Sequence, residues 1–266
     1  MDEELQARLE RSGYHQSGFA AHYDRYRPRA PSVLLELLAL LAGGGRPQLV
    51  VDLGSGTGLS TRPWAHLAEE VIGVEPNDAM REYAEHAPGP ANVRYLGCSS
   101  YATGLAPGSV DIVTAAQSLQ WMRRKDLFRE VARILRTGGL FCAYNYFVLQ
   151  TPVWDAATAF DFVQKRKGEL RLRLGLDEAS SSPPTLDWLS ESAAFREARE
   201  LVVHSIEEGD GERLIGFALS EGSMRTLLEA GASEADVGLD RLRAAAHGMP
   251  QPVPWWIGYR VWLGRK

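Results

Sequence analysis

Three glycines, Gly54, Gly56 and Gly58, stand at alternate positions directly after an apolar run, with Asp52 just ahead of them. Glycine admits positive φ and lets backbone amides approach a ligand that any Cβ would block. A second acid, Glu75, closes the next apolar run 21 residues beyond Gly54. A carboxylate at such a strand end is placed to accept both hydroxyls of a ribose. A dinucleotide site asks for Gly-x-Gly-x-x-Gly, whose last glycine packs the helix close to the strand. The spacing here is Gly-x-Gly-x-Gly with an acid in front, which suits a nucleoside carrying an amino-acid tail instead of a pyrophosphate. A lone triplet of this kind can be a structural turn. Strand, acid, triplet, helix and second acid in register argue for a ligand site.

These residues need a sheet to hold them, and the surrounding pattern supplies one. Leu49–Leu53, Val71–Val74, Val93–Leu96, Val110–Thr114 and Gly139–Phe147 read as short apolar strands. Between them, helices are expected over Pro31–Leu41, Thr61–Glu70, Asn77–Glu85 and Lys125–Leu135. Apolar strands alternating with helices require a parallel sheet covered on both faces, with ligands at the edge where the strands end. Residues 197–208 and Trp256–Leu263 alternate as two late strands. The expected fold is therefore α/β: a Rossmann-like, mostly parallel seven-stranded sheet with helices on both faces, plus helical cap insertions. The domain plan is an N-terminal arm or lid over 1–30, a core over 31–150 and 197–266 with a helical insertion at 212–247, and a helical cap over 151–196. Ser180-Ser181-Ser182-Pro183-Pro184 would interrupt that cap.

Composition narrows the setting. The chain has 266 residues, 45% hydrophobic and 24% charged, values ordinary for a soluble globular enzyme. Lys plus Arg number 29 against 34 Asp plus Glu, a net charge of −5 that leaves no basic surplus for a nucleic-acid substrate. No run reaches the roughly 20 apolar residues of a membrane span, and the acidic N-terminus lacks a signal-peptide pattern. Cys98 and Cys142 read as reduced and buried, in keeping with a cytoplasmic protein. No His or Cys spacing suggests a metal site.

Several linked stretches now carry a resemblance. Val50–Gly58, Val71-Ile72-Gly73-Val74-Glu75-Pro76, Ser109–Val113, Ala116-Gln117-Ser118-Leu119-Gln120-Trp121 and Leu135–Leu140 stand in the order found in class I S-adenosylmethionine-dependent methyltransferases, and the chain resembles the small-molecule branch of that superfamily. Tyr23-Asp24-Arg25-Tyr26-Arg27-Pro28 is similar to a segment of proteins like trans-aconitate methyltransferase. The resemblance covers about residues 17–147, with a weaker echo over 200–266.

It implies S-adenosylmethionine as cofactor and S-adenosylhomocysteine as product. Gly54, Gly56 and Gly58, with Ser55 and Thr57 between them, would cradle the methionine moiety, and Asp52 would lie near its amino group. Glu75 would hold the ribose, with Pro76 and Met80 beside the adenine. Ser99, Ser100 and Tyr101 follow the third strand, where the family usually has an acid; hydroxyls or backbone amides would take over that task. Gln117 would border the methionine tail and the methyl group. Arg27 would pair with the cofactor carboxylate while Tyr23 closes over it. Gln120-Trp121 stands where related sequences often read His-Trp, which removes the most obvious general base.

Methyl transfer from a sulfonium needs chiefly alignment and exclusion of water. Tyr23, His22, Gln120 and Trp121 are candidates on the catalytic side, and no base is assigned among them. The expected partner is a small-molecule methyl acceptor, not a nucleic acid or a membrane. Two rivals stand beside this reading: a protein that binds the cofactor without methylating anything, and a nicotinamide-dependent oxidoreductase that the glycine spacing disfavours. His204 is expected to pack on the sheet. Lys165-Arg166-Lys167, Arg171 and Arg173 form either a solvated helix face or a grip on an acidic substrate. Trp154, Phe160, Phe162 and Trp188 suit a pocket wall or an ordinary core.

Overall fold

The computed structural model describes residues 14, 18–176, 184–249 and 252–266. The interruption expected at Ser180–Pro184 therefore falls largely outside the described residues. Two compact units share the chain. The first takes in Met1–Pro28, Val148–Ser181 and Ile206–Ile257; the second takes in Arg29–Phe147, Ser182–Ser205 and Gly258–Lys266.

In chain order the strands are β1 (Leu49–Leu53), β2 (Glu70–Val74), β3 (Val93–Leu96), β4 (Val110–Ala116), β5 (Leu135–Gln150), β6 (Glu197–Gly209) and β7 (Val253–Arg265). The described helices are α1 (Phe19–Tyr26), α2 (Ser32–Leu41), α3 (Asp78–His86), α4 (Arg124–Ile134), α5 (Trp154–Arg173), α6 (Asp187–Ser190), α7 (Gly211–Leu219), α8 (Gly222–Glu229), α9 (Glu234–Val237) and α10 (Leu239–His247).

The seven strands lie in the order β3-β2-β1-β4-β5-β7-β6. β1 pairs in parallel with β2 and β4, β2 with β3, and β4 with β5. Of the last two strands, β7 runs against its neighbours on both sides. Gly138 N donates to Lys266 O and Lys266 N to Gly139 O, each at 3.0 Å, which sets the end of β7 beside the start of β5. Arg196 N donates to Arg265 O at 2.9 Å, joining the start of β6 to the end of β7. The sheet is thus seven-stranded and mostly parallel, as expected, and its antiparallel β6–β7 pairing at the end is added by the structure. Chain order reverses at β1 and β4, and ligands bind at such a switch point in open α/β sheets.

The parallel strands are apolar because both faces are covered: Val50, Val51, Leu53, Val71, Ile72, Val74, Ile112 and Val113 have no exposure. Phe128, Phe141 and Phe195 form an aromatic centre, with Phe141 stacked on Phe195 at 5.5 Å and Phe128 edge-on to it at 5.3 Å. At the opposite edge from the glycine loop, Asp111 acts as a clamp. Its carboxylate accepts from Gln48 N at 2.7 Å, Leu49 N at 3.0 Å and Arg136 Nε at 2.5 Å. Arg136 also donates to Ala42 O at 2.7 Å. Burial would raise the Asp111 pKa, but Arg136 and the two amides outweigh it and hold the carboxyl below its ordinary value.

Three expectations change. The helix over Thr61–Glu70 shrinks to a 3-10 turn at Arg62–His66. Glu69 N and Glu70 N are taken by Pro47 O and Gln48 O, at 2.9 and 3.0 Å, so β2 begins where the helix would have continued. The fifth strand starts at Leu135, directly after α4, since Leu135 already pairs with Val110. His204 is exposed on β6 beside Val202 and Ile206, not packed on the sheet.

In the first unit, α1 sits on α7: His22 Nε2 lies 3.0 Å from Gly216 O, and a Cβ at Gly216 would come within 2.4 Å of the Tyr26 ring. Phe160 of α5 meets Phe217 at 5.5 Å. The basic stretch of α5 serves this same unit. Lys167 pairs with Glu221, Arg166 with Glu169 at 2.9 Å, and Arg171 donates to Thr226 Oγ1 at 2.6 Å. Phe160 is buried, whereas Trp154 is 84% exposed. Among the described residues no helix is long and apolar enough to cross a membrane, and no cluster of His, Cys, Asp or Glu could hold a metal ion. Cys98 and Cys142 are free thiols, Cys142 buried and Cys98 partly so.

Candidate cofactor site

The glycine loop is suspended from the end of β2. Gly54 N and Ser55 N both donate to Val74 O, at 2.8 and 3.2 Å, and Gly58 N turns back to Ser55 O at 2.9 Å. Gly54, Gly56 and Gly58 all have positive φ, at 69°, 54° and 85°. Their surroundings differ sharply. A Cβ on Gly54 would lie 2.7 Å from Ser118 Cβ, so this glycine admits the loop after β4. A Cβ on Gly58 would lie 2.2 Å from the Tyr95 hydroxyl and 2.7 Å from Arg62 Nη1. Among the described residues there is room over Gly56 alone of the three, where the nearest atom is Met80 Cε, at 3.5 Å. One glycine of the three therefore faces a space that a ligand can enter, and the other two shape the turn.

Asp52 is fully buried and fully engaged. Ser60 Oγ and Thr61 Oγ1 donate to Oδ2 at 2.6 and 2.7 Å, and Thr114 Oγ1 donates to Oδ1 at 2.7 Å. Burial raises its pKa, against the pull of those three hydroxyls. The resemblance implies a place for Asp52 near the amino group of the cofactor; its described bonds tie β1 to β4 and to the turn that follows the loop.

Glu75 ends β2, buried, with one oxygen accepting Gly56 N and the other Asn77 N, each at 2.8 Å. Burial pushes its carboxyl from the ordinary 4.5 up to about 7, although Asn77, Gly56 and Arg81 oppose the shift. Asn77 also caps α3 by accepting Met80 N at 3.2 Å. The cap brings buried Met80 over Gly56, with partly buried Pro76 in the same stretch. After β3, Ser100 is buried, and the Tyr101 hydroxyl accepts Arg123 N at 2.7 Å. The Arg123 guanidinium lies 4.7 Å from that ring.

The loop after β4 adds the other wall. Among the described residues Gln117 is the one non-glycine with positive φ, at 53°. Such a residue is uncommon and marks a functional constraint more often than chance. Gln117 N donates to Tyr144 O at 2.9 Å, and Ser118 Oγ to Leu53 O at 2.8 Å, which fixes this loop on β1 and β5. Gln120 lies on the following 3-10 turn and is partly buried, and Trp121 is 41% exposed.

Among the described residues, four buried polar atoms around this edge have no hydrogen-bond partner: Ser55 Oγ, Thr57 Oγ1, Gln117 Nε2 and Asn145 Oδ1. Native interiors rarely leave such groups unmet, so their gathering at one loop cluster points to a polar ligand. Nothing in the sequence around Asn145 marks it as a site residue. It stands inside an apolar strand, where only the register, with Ala116 opposite Tyr144, reveals it as a neighbour of Gln117.

Tyr23, Arg27 and His22 belong to the first unit, and their described contacts lie there. Arg27 is buried, donates from Nη2 to Ser220 O at 2.9 Å, and is flanked by the Tyr23 and Phe217 rings at 5.0 and 5.1 Å. Burial lowers the His22 pKa, keeping its ring neutral near pH 7.

Comparison with known proteins agrees with this geometry. A family profile described as a methyltransferase domain matches residues 51–143. A probable S-adenosylmethionine-dependent methyltransferase of Saccharomyces cerevisiae is 33% identical over 132 residues, 48% of this chain and 45% of that one. The chain spans about half the length of the curated relatives it matches. Among solved structures, a putative type II methyltransferase from Anaeromyxobacter dehalogenans superposes with a TM-score of 0.65 at 24% identity, covering 90% of this chain and 98% of the other. A Haemonchus contortus phosphoethanolamine N-methyltransferase, solved with phosphomonomethylethanolamine and S-adenosylhomocysteine, gives 0.55 at 19% identity over 98% of this chain and 60% of its own. The glycine loop and the acid that ends β2 therefore lie in a stretch, residues 51–143, that matches a methyltransferase domain, on a sheet with the fold of class I methyltransferases, whose cofactor is S-adenosylmethionine.

Proposed function

We propose that this chain transfers the methyl group of S-adenosylmethionine to an O, N or C atom of a small organic molecule. The observation that carries the reading is the open face of Gly56, bordered by a buried carboxylate and by unmet polar atoms. When bound, the cofactor supplies a sulfonium methyl already activated for displacement. What remains for the protein is to bind, orient and exclude water.

Glu75 takes the ribose, exchanging its bond to Gly56 N for the two sugar hydroxyls and freeing that amide for the ligand. Met80 and Pro76 offer an apolar face to the adenine, and Ser99, Ser100 and Tyr101 line its polar edge. Ser55, Thr57 and Gln117 Nε2 present hydroxyl and amide groups to the methionine tail. Asp52 acts through the turn it ties down. Trp121 stands on the acceptor side, where an aromatic face accommodates the positive sulfur.

Titration calorimetry with S-adenosylmethionine and S-adenosylhomocysteine tests the cofactor half, and absence of binding to either overturns it. The second reading, binding without transfer, is favoured by the amides Gln117 and Gln120 standing where an ionisable base would help. Release of S-adenosylhomocysteine with any acceptor in a panel excludes that reading.

A further inference from the structure

Gln117, Gln120 and Asn145 form one chain of amides whose orientation is set by a single unambiguous group. Gln120 Nε2 lies 2.7 Å from the backbone carbonyl of Gln117, which can only accept. The nitrogen end of Gln120 must therefore face that carbonyl, leaving Oε1 for Asn145. Asn145 Nδ2 meets Gln120 Oε1 at 3.1 Å, so Nδ2 is the donor and Oδ1 is left over. That oxygen is buried and without a donor. Turning either amide around would set like groups against each other, so the unmet acceptor follows from the hydrogen-bond chain. Leaving such a group unmet is costly, and a residue held at positive φ, Gln117, anchors the arrangement. Asn145 and Gln120 are each only partly buried as residues, while Oδ1 itself is covered.

Building on the methyl-transfer reading, we propose that Asn145 Oδ1 binds the methyl acceptor by taking a hydrogen bond from the N–H or O–H of its nucleophilic atom. The acceptor class is then a neutral amine, amide or hydroxyl compound that still carries a proton on the atom to be methylated. The lone pair of that atom forms the bond to the methyl carbon as the carbon–sulfur bond breaks, and that electron pair stays on sulfur. Asn145 is neutral and takes no proton. The proton stays on the methylated atom through the transfer and leaves to water afterwards. Gln120 positions Asn145 by holding Nδ2.

The test compares matched acceptors on the intact protein: primary and secondary amines and alcohols against tertiary amines and thioethers of the same carbon skeleton. Wild type is expected to favour the proton-bearing member of each pair by about tenfold or more in kcat/KM, the size of one buried hydrogen bond. Asn145→Leu is expected to erase that preference through KM, with S-adenosylmethionine affinity unchanged by calorimetry. Equal rates for tertiary and secondary amines overturn the inference, as does a folded Asn145→Leu protein that keeps the preference. The wild-type comparison stands if the variant does not fold. Loss of cofactor binding in wild type, or cofactor binding with no transfer to any probe, instead overturns the methyl-transfer reading beneath it, and transfer to the aprotic probes without transfer to any proton-bearing one overturns this inference alone.

Discussion

Replacing Gly56 and Gly58 by alanine separates the two tasks that the glycine loop performs. At Gly58 the added methyl meets the Tyr95 hydroxyl at 2.2 Å and Arg62 Nη1 at 2.7 Å, on a backbone with φ of 85°. The left-handed backbone costs about 1–2 kcal/mol for an L-residue, and forcing a methyl into a filled site adds about 1–3 kcal/mol. Gly58→Ala should therefore lose roughly 2–5 kcal/mol of stability. At Gly56 the added methyl meets, among the described residues, Met80 Cε at 3.5 Å, an ordinary contact. Gly56→Ala should lose just the backbone part, about 1–2 kcal/mol, yet its methyl projects into the space assigned to the ligand. Urea unfolding without ligand gives the stabilities, and calorimetry with S-adenosylmethionine gives the affinities. Gly56→Ala should keep most of its stability and lose binding. In a Tyr95→Ala background the penalty at Gly58 should fall by about 1–3 kcal/mol, a coupling measurable as a double-mutant cycle. A Gly58→Ala protein as stable as wild type, or a Gly56→Ala protein that binds the cofactor normally, would refute this division of tasks.

Glu75 makes cofactor affinity depend on pH: its carboxyl, raised to about 7 by burial, must ionise to accept two ribose hydroxyls. Affinity should climb with pH, by up to about tenfold per unit below that value, and level off above it, while Glu75→Gln should give a flat profile by calorimetry. Without ligand the same group works in the other direction. Between 4.5 and about 7 the folded chain keeps a proton that the unfolded chain has lost. Its contribution to stability is then complete below that window and falls away as pH rises through it, as urea titrations at stepped pH will read. Glu130 behaves oppositely. The bond from Arg133, then those from Thr103, outweigh burial and lower its pKa from 4.5 to about 2, so its contribution is present above 4.5 and lost as pH falls through about 2. Glu130→Gln should remove that part of the acid transition. Thr114→Val deletes the hydroxyl bonded to Asp52 Oδ1 and should cost about 1–3 kcal/mol in urea unfolding, with the fold kept.

The sheet was legible because its strands are short apolar runs between helices, and because Asp52, the glycines and Glu75 sit at strand ends that pattern alone locates. Strand bounds for β1 and β3 match the structure, while the stretch after Thr61 does not. There the helical pattern loses to Pro47 and Gln48, whose carbonyls claim the amides of Glu69 and Glu70. Periodicity carries no information about such a competitor. The three glycines look equivalent in the sequence and are not, since Tyr95 is 37 residues from Gly58 and Ser118 is 64 from Gly54. Asp52 has the residue type for an amino group, but its three hydroxyl partners come from two separate segments. Asn145 sits in an apolar run that reads as plain strand, and only its pairing neighbour gives it a chemical meaning.

The clamp around Asp111 has a consequence for how the sheet opens. Its bonds to Gln48 N and Leu49 N sit at one end of β1, reinforced by Arg136 and through it by the end of α2. The other end of β1 leads into a loop whose Gly56 amide rests on a single carboxylate oxygen. Amide hydrogen exchange should therefore be graded along this one strand: slowest at Gln48 and Leu49, which are released only when the whole unit unfolds, and fast at Gly56, which a local opening frees. Ligand binding should slow the fast end and leave the slow end untouched, so β1 works as a lever fixed at its base.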